Sequence, residues 1–363
     1  MSITPKLHFF KSEQKPYRLL DKDGNWLYPE KKAPLSVAKV KAAFERMIFQ
    51  RTLDEKMLQM QRQGRMLTFA PNLGEECLQV ATALAMNSED WLIPAFRSGL
   101  LMLERGFSLK NMLLYWNGNE RGCEVGEKWN TLPINITIGT QMSHAAGIGW
   151  ALRIDKKEAA AVSFIGDGGT AEGEFYESLN FAALRKAKWV AAINNNGFAI
   201  STRTDLESGI NDLSAKAIAA GAHYLSVDGN DIFASYEAAK LALDFARSEN
   251  GGPVVLEFVT YRKGPHTTSD DPSIYLKPEE KTVGEATDPF IRTEKWLRDK
   301  KAWTDEDYNR TREAALKEID EAFKQMEAEL IPPLADVFDY TYAELTPDLK
   351  RQKEDAIKRF GGK

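Results

Sequence analysis

Residues 158–196 read EAAAVSFIGDGGTAEGEFYESLNFAALRKAKWVAAINNN, and this stretch decides the fold. Its opening, EAAAVSFI (158–165), is a short apolar run of the kind that a strand buried on both faces requires. The middle, AEGEFYESLNFAAL, places Phe175, Leu179 and Ala183 four apart, which gathers them on one side of a helix. WVAAI (189–193) is apolar throughout and reads as a second strand. Strand, helix and strand in that order form a βαβ unit, whose strands run parallel. A helix expected from about Asp231 to Arg247 and a strand VVLEFVTY (254–261) continue the alternation. The expected class is α/β, a mostly parallel sheet flanked by helices.

Outward from this centre the pattern changes. Residues 1–35 are polar and interrupted by Pro5, Pro16, Pro29 and Pro34, which reads as an amino-terminal arm lying over a surface. From Ser36 to about Gln63, Val40, Phe44, Met47, Phe49 and Leu53 follow helical spacing. Residues 74–115 continue in a mainly helical pattern, broken at 93–99 by IPAFRSG, a loop that carries an arginine. After Thr287 the chain is charged and helical to about Leu330, and Pro332-Pro333 ends that segment. The expected organisation is an arm (1–35), an α/β domain (36–287) and a helical carboxyl-terminal extension (288–363), together forming one structural unit.

Composition narrows the function classes. Hydrophobic residues at 43% and charged residues at 28% are ordinary globular values, so there is a core to bury. A formal charge of −5 and the lack of any long basic run argue against nucleic acid as a partner. The first twenty residues lack the apolar segment of a signal peptide, and no membrane-length apolar run occurs, so a soluble, cytoplasmic protein without membrane partners is expected. Cys77 and Cys123 are the two cysteines, too few and too far apart for a disulfide framework or a zinc knuckle, and both are expected to be buried thiols.

The two ends of the opening stretch carry the chemistry. Asp167 follows the first strand and Asn194–Asn196 close the second, so both emerge at the carboxyl edge of the sheet and converge on one crevice. Gly166, Gly168 and Ala171 also satisfy G-x-G-x-x-A, the dinucleotide fingerprint. That fingerprint requires an acidic residue at the end of the second strand to hold ribose hydroxyls, and this chain has asparagines there. An aspartate supplies charge and a carboxamide supplies oxygen to a hard cation, a combination suited to Mg²⁺ with diphosphate oxygens in its shell. Gly168 and Gly169 allow backbone N–H groups to approach those oxygens at a helix start.

G-D-G, a helix-length gap and N-N form the thiamine diphosphate motif, and the chain resembles the alpha subunits of the decarboxylating component of pyruvate dehydrogenase complexes. The resemblance extends from RQGRMLTFAPNLGEE (62–76) through LPINITIGTQ (132–141) and NNNGFAISTRT (194–204) to GPHTTSDDPSIY (264–275). It implies a thiamine diphosphate-binding fold in which Asp167, Asn196 and the backbone carbonyl of Phe198 hold Mg²⁺. Gly168 and Gly169 would meet the diphosphate through their amides, and Arg97 would bind it. Phe96 stands where many relatives have tyrosine. Ile136 and Ile138 match positions that touch the cofactor, and His266 matches the active-site histidine of a loop expected to act as a lid (263–274).

The resemblance further implies decarboxylation of a 2-oxo acid, with the cofactor as electron sink and the acyl group passed to the lipoyl arm of an acyltransferase component. In the family the glutamate that activates the cofactor lies on a separate beta subunit, so the chain reads as half an active site in an assembly of two alpha and two beta subunits. Pyruvate is the expected substrate, with branched-chain 2-oxo acids and acetoin as alternatives. Two other classes compete: a nicotinamide-dependent dehydrogenase, against which the missing ribose carboxylate counts, and a non-catalytic assembly subunit, against which the intact Asp167, Asn196, Arg97 and His266 set counts. The ordinary role of an aspartate after a strand is a helix cap, that of an arginine a surface ion pair, and that of a loop histidine a solvated side chain.

Overall fold

The computed structural model describes residues 15–126 and 129–361. Five parallel strands make the central sheet: β1 (Trp91–Ile93), β2 (Ala161–Gly166), β3 (Trp189–Asn195), β6 (His223–Asp228) and β7 (Val254–Val259), in the order β1-β2-β3-β7-β6. Two short strands, β4 (Phe198–Ala199) and β5 (Thr202–Arg203), form an antiparallel hairpin beyond the end of β3. The expected βαβ unit is present, with the helix Gly173–Arg185 between β2 and β3. Gly166 pairs with Asn194, so Asp167 and the last asparagines leave neighbouring strands at the same edge.

Alternation along the strands divides two cores. Val162, Phe164, Val190, Ala192, Leu256 and Phe258 face one side, where Phe44, Phe233 and Leu243 from the helices cover them. Ala161, Ile165, Ala191, Ile193 and Val255 face the other, against Met142, Phe175 and Leu179. Because both faces are buried, these strands carry almost no polar side chains, which is why β2 and β3 are legible as apolar runs.

The carboxyl-terminal segment is joined to the first core. Helices Pro289–Asp299 and Asp305–Ala328 follow the α/β region, and Phe290, Trp296, Leu297 and Trp303 pack with Phe44. Ile319, Phe323 and Met326 meet Leu53, Met57 and Met60 of the long helix Val37–Arg62 in a third cluster.

Several expectations are corrected. The described part of the arm, residues 15–35, does more than cover a surface: Leu19 and Leu20 are fully buried, and their N–H groups donate to Asp231 Oδ2 at 2.6 Å each. The other carboxylate oxygen of Asp231 caps the helix Ile232–Arg247 through Phe233 N and Ala234 N. The first fourteen residues of the arm, with Pro5 and His8, lie outside the described residues. Trp91 and Leu92, expected within a helical region, and Ile93, expected to open the loop 93–99, form β1 instead. Cys77 is buried as expected, whereas Cys123 is partly exposed.

Candidate active site

A chain leaving a buried strand must turn at once, and at the end of β2 it does so through the 3₁₀ turn Gly168–Ala171. Thr170 closes this turn by donating its hydroxyl to the Asp167 carbonyl at 2.7 Å, and Lys216 Nζ ties it from beneath, donating to Thr170 O at 2.9 Å and Thr170 Oγ1 at 2.8 Å. Asp167 is 4% exposed. Its Oδ2 accepts from Thr204 Oγ1 at 2.6 Å, a residue delivered by the hairpin β4–β5. Burial raises the Asp167 carboxyl above the usual carboxylate range, and the Thr204 hydrogen bond is the largest opposing influence.

The three asparagines point three ways. Asn194 Oδ1 accepts from Thr260 Oγ1 at 2.8 Å. Asn195 Nδ2 donates downward to Glu257 Oε1 at 2.8 Å. Asn196 Nδ2 donates to the buried Glu75 Oε1 at 2.8 Å, and its Oδ1 accepts from Phe198 N at 3.2 Å.

Arg97 follows β1 and is 8% exposed. Its guanidinium donates to Pro71 O and to His266 O at 2.8 Å, with Glu75 Oε1 3.8 Å from its Nε. His266 Nδ1 lies 3.4 Å from both Arg97 Nη2 and Arg262 Nη1, and Phe96 packs edge-on against its ring at 5.9 Å. Burial first, then the Arg97 and Arg262 charges, lower the His266 pKa to about 4, so the imidazole is neutral at physiological pH. A half-buried ring held by two guanidinium groups is not the solvated loop histidine that is the ordinary alternative.

These groups meet in one cavity of about 410 Å³, lined by Phe96, Arg97, Ile138, Asp167, Gly168, Gly169, Asn196, Phe198 and His266. The tenth residue expected there, Ile136, lies outside the lining and is 56% exposed. A larger cleft of about 720 Å³ opens at the opposite, amino edge of the sheet. Its Arg153 and Lys188 are occupied by the carbonyls of Lys157, Lys186, Arg247, Glu249 and Gly251, so they brace loops and do not await a ligand.

The donor set suits a metal-bound diphosphate. Among the described residues no three His, Cys, Asp or Glu side chains gather for a metal. One carboxylate, one carboxamide and a backbone carbonyl match the way Mg²⁺ is held when phosphate oxygens complete its shell. Neither glycine of the turn has room for a side chain. A Cβ added at Gly168 would lie 2.4 Å from Ala199 Cβ, and one at Gly169 2.5 Å from Ile165 Cγ1 and 2.8 Å from Ile138 Cγ2.

Residues without a role in the sequence reading also belong here. Thr204, Arg262 and Glu75 each hold a group that borders the cavity, Lys216 braces the turn that follows Asp167, and Glu207 lines the cavity. Of these only Glu75 left a signal in the sequence. Gly74-Glu75-Glu76 places adjacent acids after a proline loop, and both acids are fully buried.

Comparison with known proteins identifies the family. Residues 44–335 match the family model described as dehydrogenase E1 component. The chain is 50% identical over 344 residues to a protein of Mycoplasma genitalium named pyruvate dehydrogenase E1 component subunit alpha, covering 95% of this chain and 96% of that one. Proteins of the same name from Mycoplasma pneumoniae and Acholeplasma laidlawii are 51% identical over 344 residues and 47% identical over 318 residues; these matches cover 95% and 86% of this chain and 96% and 91% of those proteins. With the sheet and the cavity as described and a match of this extent, the chain belongs to the dehydrogenase E1 component family, whose cofactor is thiamine diphosphate.

Proposed function

We propose that this chain is the alpha subunit of a pyruvate dehydrogenase, carrying the diphosphate-and-metal half of the site for oxidative decarboxylation of pyruvate. The observation that carries the reading is the convergence of Asp167, Asn196, Arg97 and His266 on one cavity at the carboxyl edge of the sheet. Asp167, Asn196 Oδ1 and the Phe198 carbonyl would hold Mg²⁺, and the Gly168 and Gly169 amides with Arg97 would hold the diphosphate. Phe96 and Ile138 pack the cavity wall, and Ile136 is left to a facing surface.

Thiamine diphosphate, when bound, supplies a nucleophilic carbon and an electron sink for loss of carbon dioxide. The chain supplies placement. Thr204 and Lys216 fix the turn that carries Asp167, and buried Arg97 meets a fixed anion without reorganising. Neutral His266 would offer a hydrogen bond to a ligand in the cavity it lines without adding a third positive charge to those of Arg97 and Arg262.

The activating glutamate would come from a beta subunit in an assembly of two alpha and two beta chains, and the acetyl group would pass to the lipoyl arm of an acyltransferase component. Ile138 and Ile200, exposed by 43% and 55%, line the cavity and leave apolar surface open there, as a partner surface would require. No helix among the described residues is long and apolar enough to cross a membrane, and a cytoplasmic location fits this reading. The name shared by the relatives favours pyruvate over branched-chain 2-oxo acids and acetoin.

Decarboxylation measured with an artificial electron acceptor tests the proposal. The isolated chain is expected to be inactive, and the chain assembled with its beta subunit to turn over pyruvate faster than 3-methyl-2-oxobutanoate. Full activity of the isolated chain, or preference for the branched substrate, refutes it.

A further inference from the structure

We propose that Glu75 is a positioning residue that fixes which end of the Asn196 carboxamide faces the metal. The proposal rests on the metal-site reading above. A carboxamide carries an acceptor oxygen and a donor NH₂ on nearly superimposable ends, and only the oxygen ligates a hard cation. Rotated by half a turn, Asn196 would present N–H groups to Mg²⁺ and lose the bond.

The wall behind Asn196 decides the rotamer. Glu75 Oε1, fully buried, accepts from Asn196 Nδ2 at 2.8 Å. A carboxylate only accepts, so the NH₂ end is drawn to it and the oxygen is turned away. That oxygen already closes the next turn on Phe198 N at 3.2 Å, beside the carbonyl proposed as the third ligand.

The backbone on the amino side of Glu75 is pinned by a set of hydrogen bonds. Glu75 N donates to Asn72 O at 2.9 Å, Asn72 N donates to Asp54 Oδ2 at 2.6 Å, and Gly74 N donates to Glu76 Oε2 at 3.0 Å. Glu75 also begins the helix Glu76–Ala85, so its backbone has little freedom. Glu75 Oε2 has no hydrogen-bond partner within the described residues, and Arg97 Nε lies 3.8 Å from Oε1. Burying a carboxylate that is only half satisfied is unfavourable unless the group is needed where it stands. Its neighbours include Asn196 and Arg97, the groups that would face metal and diphosphate. Outer partners of this kind orient a ligand without touching the metal.

The test is calorimetric titration of Mg²⁺ into the assembled enzyme at fixed thiamine diphosphate. Glu75→Met keeps the side-chain length and removes the acceptor, and is expected to raise the Mg²⁺ midpoint about 10- to 100-fold, the usual loss for an outer partner. Glu75→Gln keeps one carbonyl oxygen for Asn196 and is expected to stay within about threefold of wild type. Titration of Glu75→Met like wild type, or a loss in Glu75→Gln as large as that in Glu75→Met, overturns the proposal.

A second arm stands even where Glu75→Met fails to fold. Asn196→Asp sets two carboxylates against each other, so its midpoint should rise; adding Glu75→Gln restores one donor and one acceptor with their polarity exchanged. The double variant is expected to recover most of the loss, and no recovery overturns the proposal. Asp167→Ala, run in parallel, separates this idea from the reading beneath it. If Asp167→Ala titrates like wild type, the metal site itself is misplaced and the Glu75 proposal falls with it. If Asp167→Ala loses binding while Glu75→Met does not, only the Glu75 proposal fails.

Discussion

Gly168→Ala adds one methyl group at the most crowded point of the site. Gly168 has no left-handed φ, so backbone freedom is not what glycine supplies there; room is. The new Cβ would lie 2.4 Å from Ala199 Cβ and 3.1 and 3.2 Å from the Glu207 carboxylate oxygens. Carbon atoms rest at ~3.5–4.0 Å, so the pair is short by about 1.1 Å. Glu207 can swing aside, but Ala199 lies in β4, next to the proposed ligand Phe198, and the same hairpin delivers Thr204 to Asp167. Relief therefore moves ligands, and Mg²⁺ demands near-ideal octahedral geometry at ~2.0–2.1 Å. Overpacking of this kind costs about 1–3 kcal/mol. If all of it falls on the bound state, affinity for thiamine diphosphate drops about 5- to 150-fold at ~1.4 kcal/mol per factor of ten. The assay is calorimetric titration of thiamine diphosphate into the assembled enzyme at fixed Mg²⁺. Ala199→Gly in the same chain removes the opposing methyl and should restore binding. Wild-type affinity in Gly168→Ala, or no recovery in the double variant, would refute the steric reasoning.

Two further outcomes follow from the loop that carries His266. The folded-state pKa of His266, about 4, lies below its ordinary value of 6.5, so between those values the unfolded chain binds more protons than the folded one. The contribution to stability is therefore full above pH 6.5 and lost progressively as pH falls toward 4; His266→Gln should show a smaller drop in Tm between pH 7 and pH 5 than wild type, and an equal drop contradicts the assignment. For the loop 263–274, thiamine diphosphate with Mg²⁺ should slow proteolytic cleavage, because His266 of this loop and Arg97, which donates to its carbonyl, both line the cavity; equal cleavage rates with and without cofactor would exclude ordering by the ligand.

How far the sequence announced the fold depended on where each element lies in the sheet. β2 and β3 are central and covered on both faces, so burial forces apolar side chains at nearly every position and the runs stand out. β1 is three residues long and stops at Pro94, too short for periodicity to register. β6 is the strand at the other edge, and its sequence, HYLSVD, mixes polar and apolar residues because its first half is only partly covered. Tyr17, which bridges to Val227 alongside β6, gave no strand pattern either, since a single bridge imposes no alternation. The burial of Leu19 and Leu20 was hidden by the prolines around them. What holds the arm is the carboxylate of Asp231, more than two hundred residues away in sequence.

The site divides along a different line. Groups that present themselves to a ligand follow strand ends, so a linear motif captures Asp167 and Asn196. Groups that hold them come from elsewhere in the chain: Glu75 stands 121 residues from Asn196, Thr204 37 from Asp167, and Lys216 46 from Thr170. Local sequence does not say which group such a residue will hold, because a buried polar group can be satisfied by any element the fold brings near; even the adjacent acids Glu75 and Glu76 do not name Asn196 as a partner. The run of three asparagines shows the limit best. The residues are identical in type and adjacent in sequence, yet Asn194 faces a threonine hydroxyl, Asn195 a core carboxylate and Asn196 a carboxylate behind the cavity. Their side chains alternate because the strand does, and the chain leaves the sheet at the third. Asn196 is thus free of the ladder while its NH₂ end is taken, which leaves one oxygen to offer. Arg97 and Arg262 lie opposite Asp167 and Glu75, so the positive charges of the two arginines are already balanced. A diphosphate arriving with a divalent cation brings its charge largely neutralised, and so it can enter this buried cavity without a large excess of positive charge waiting for it.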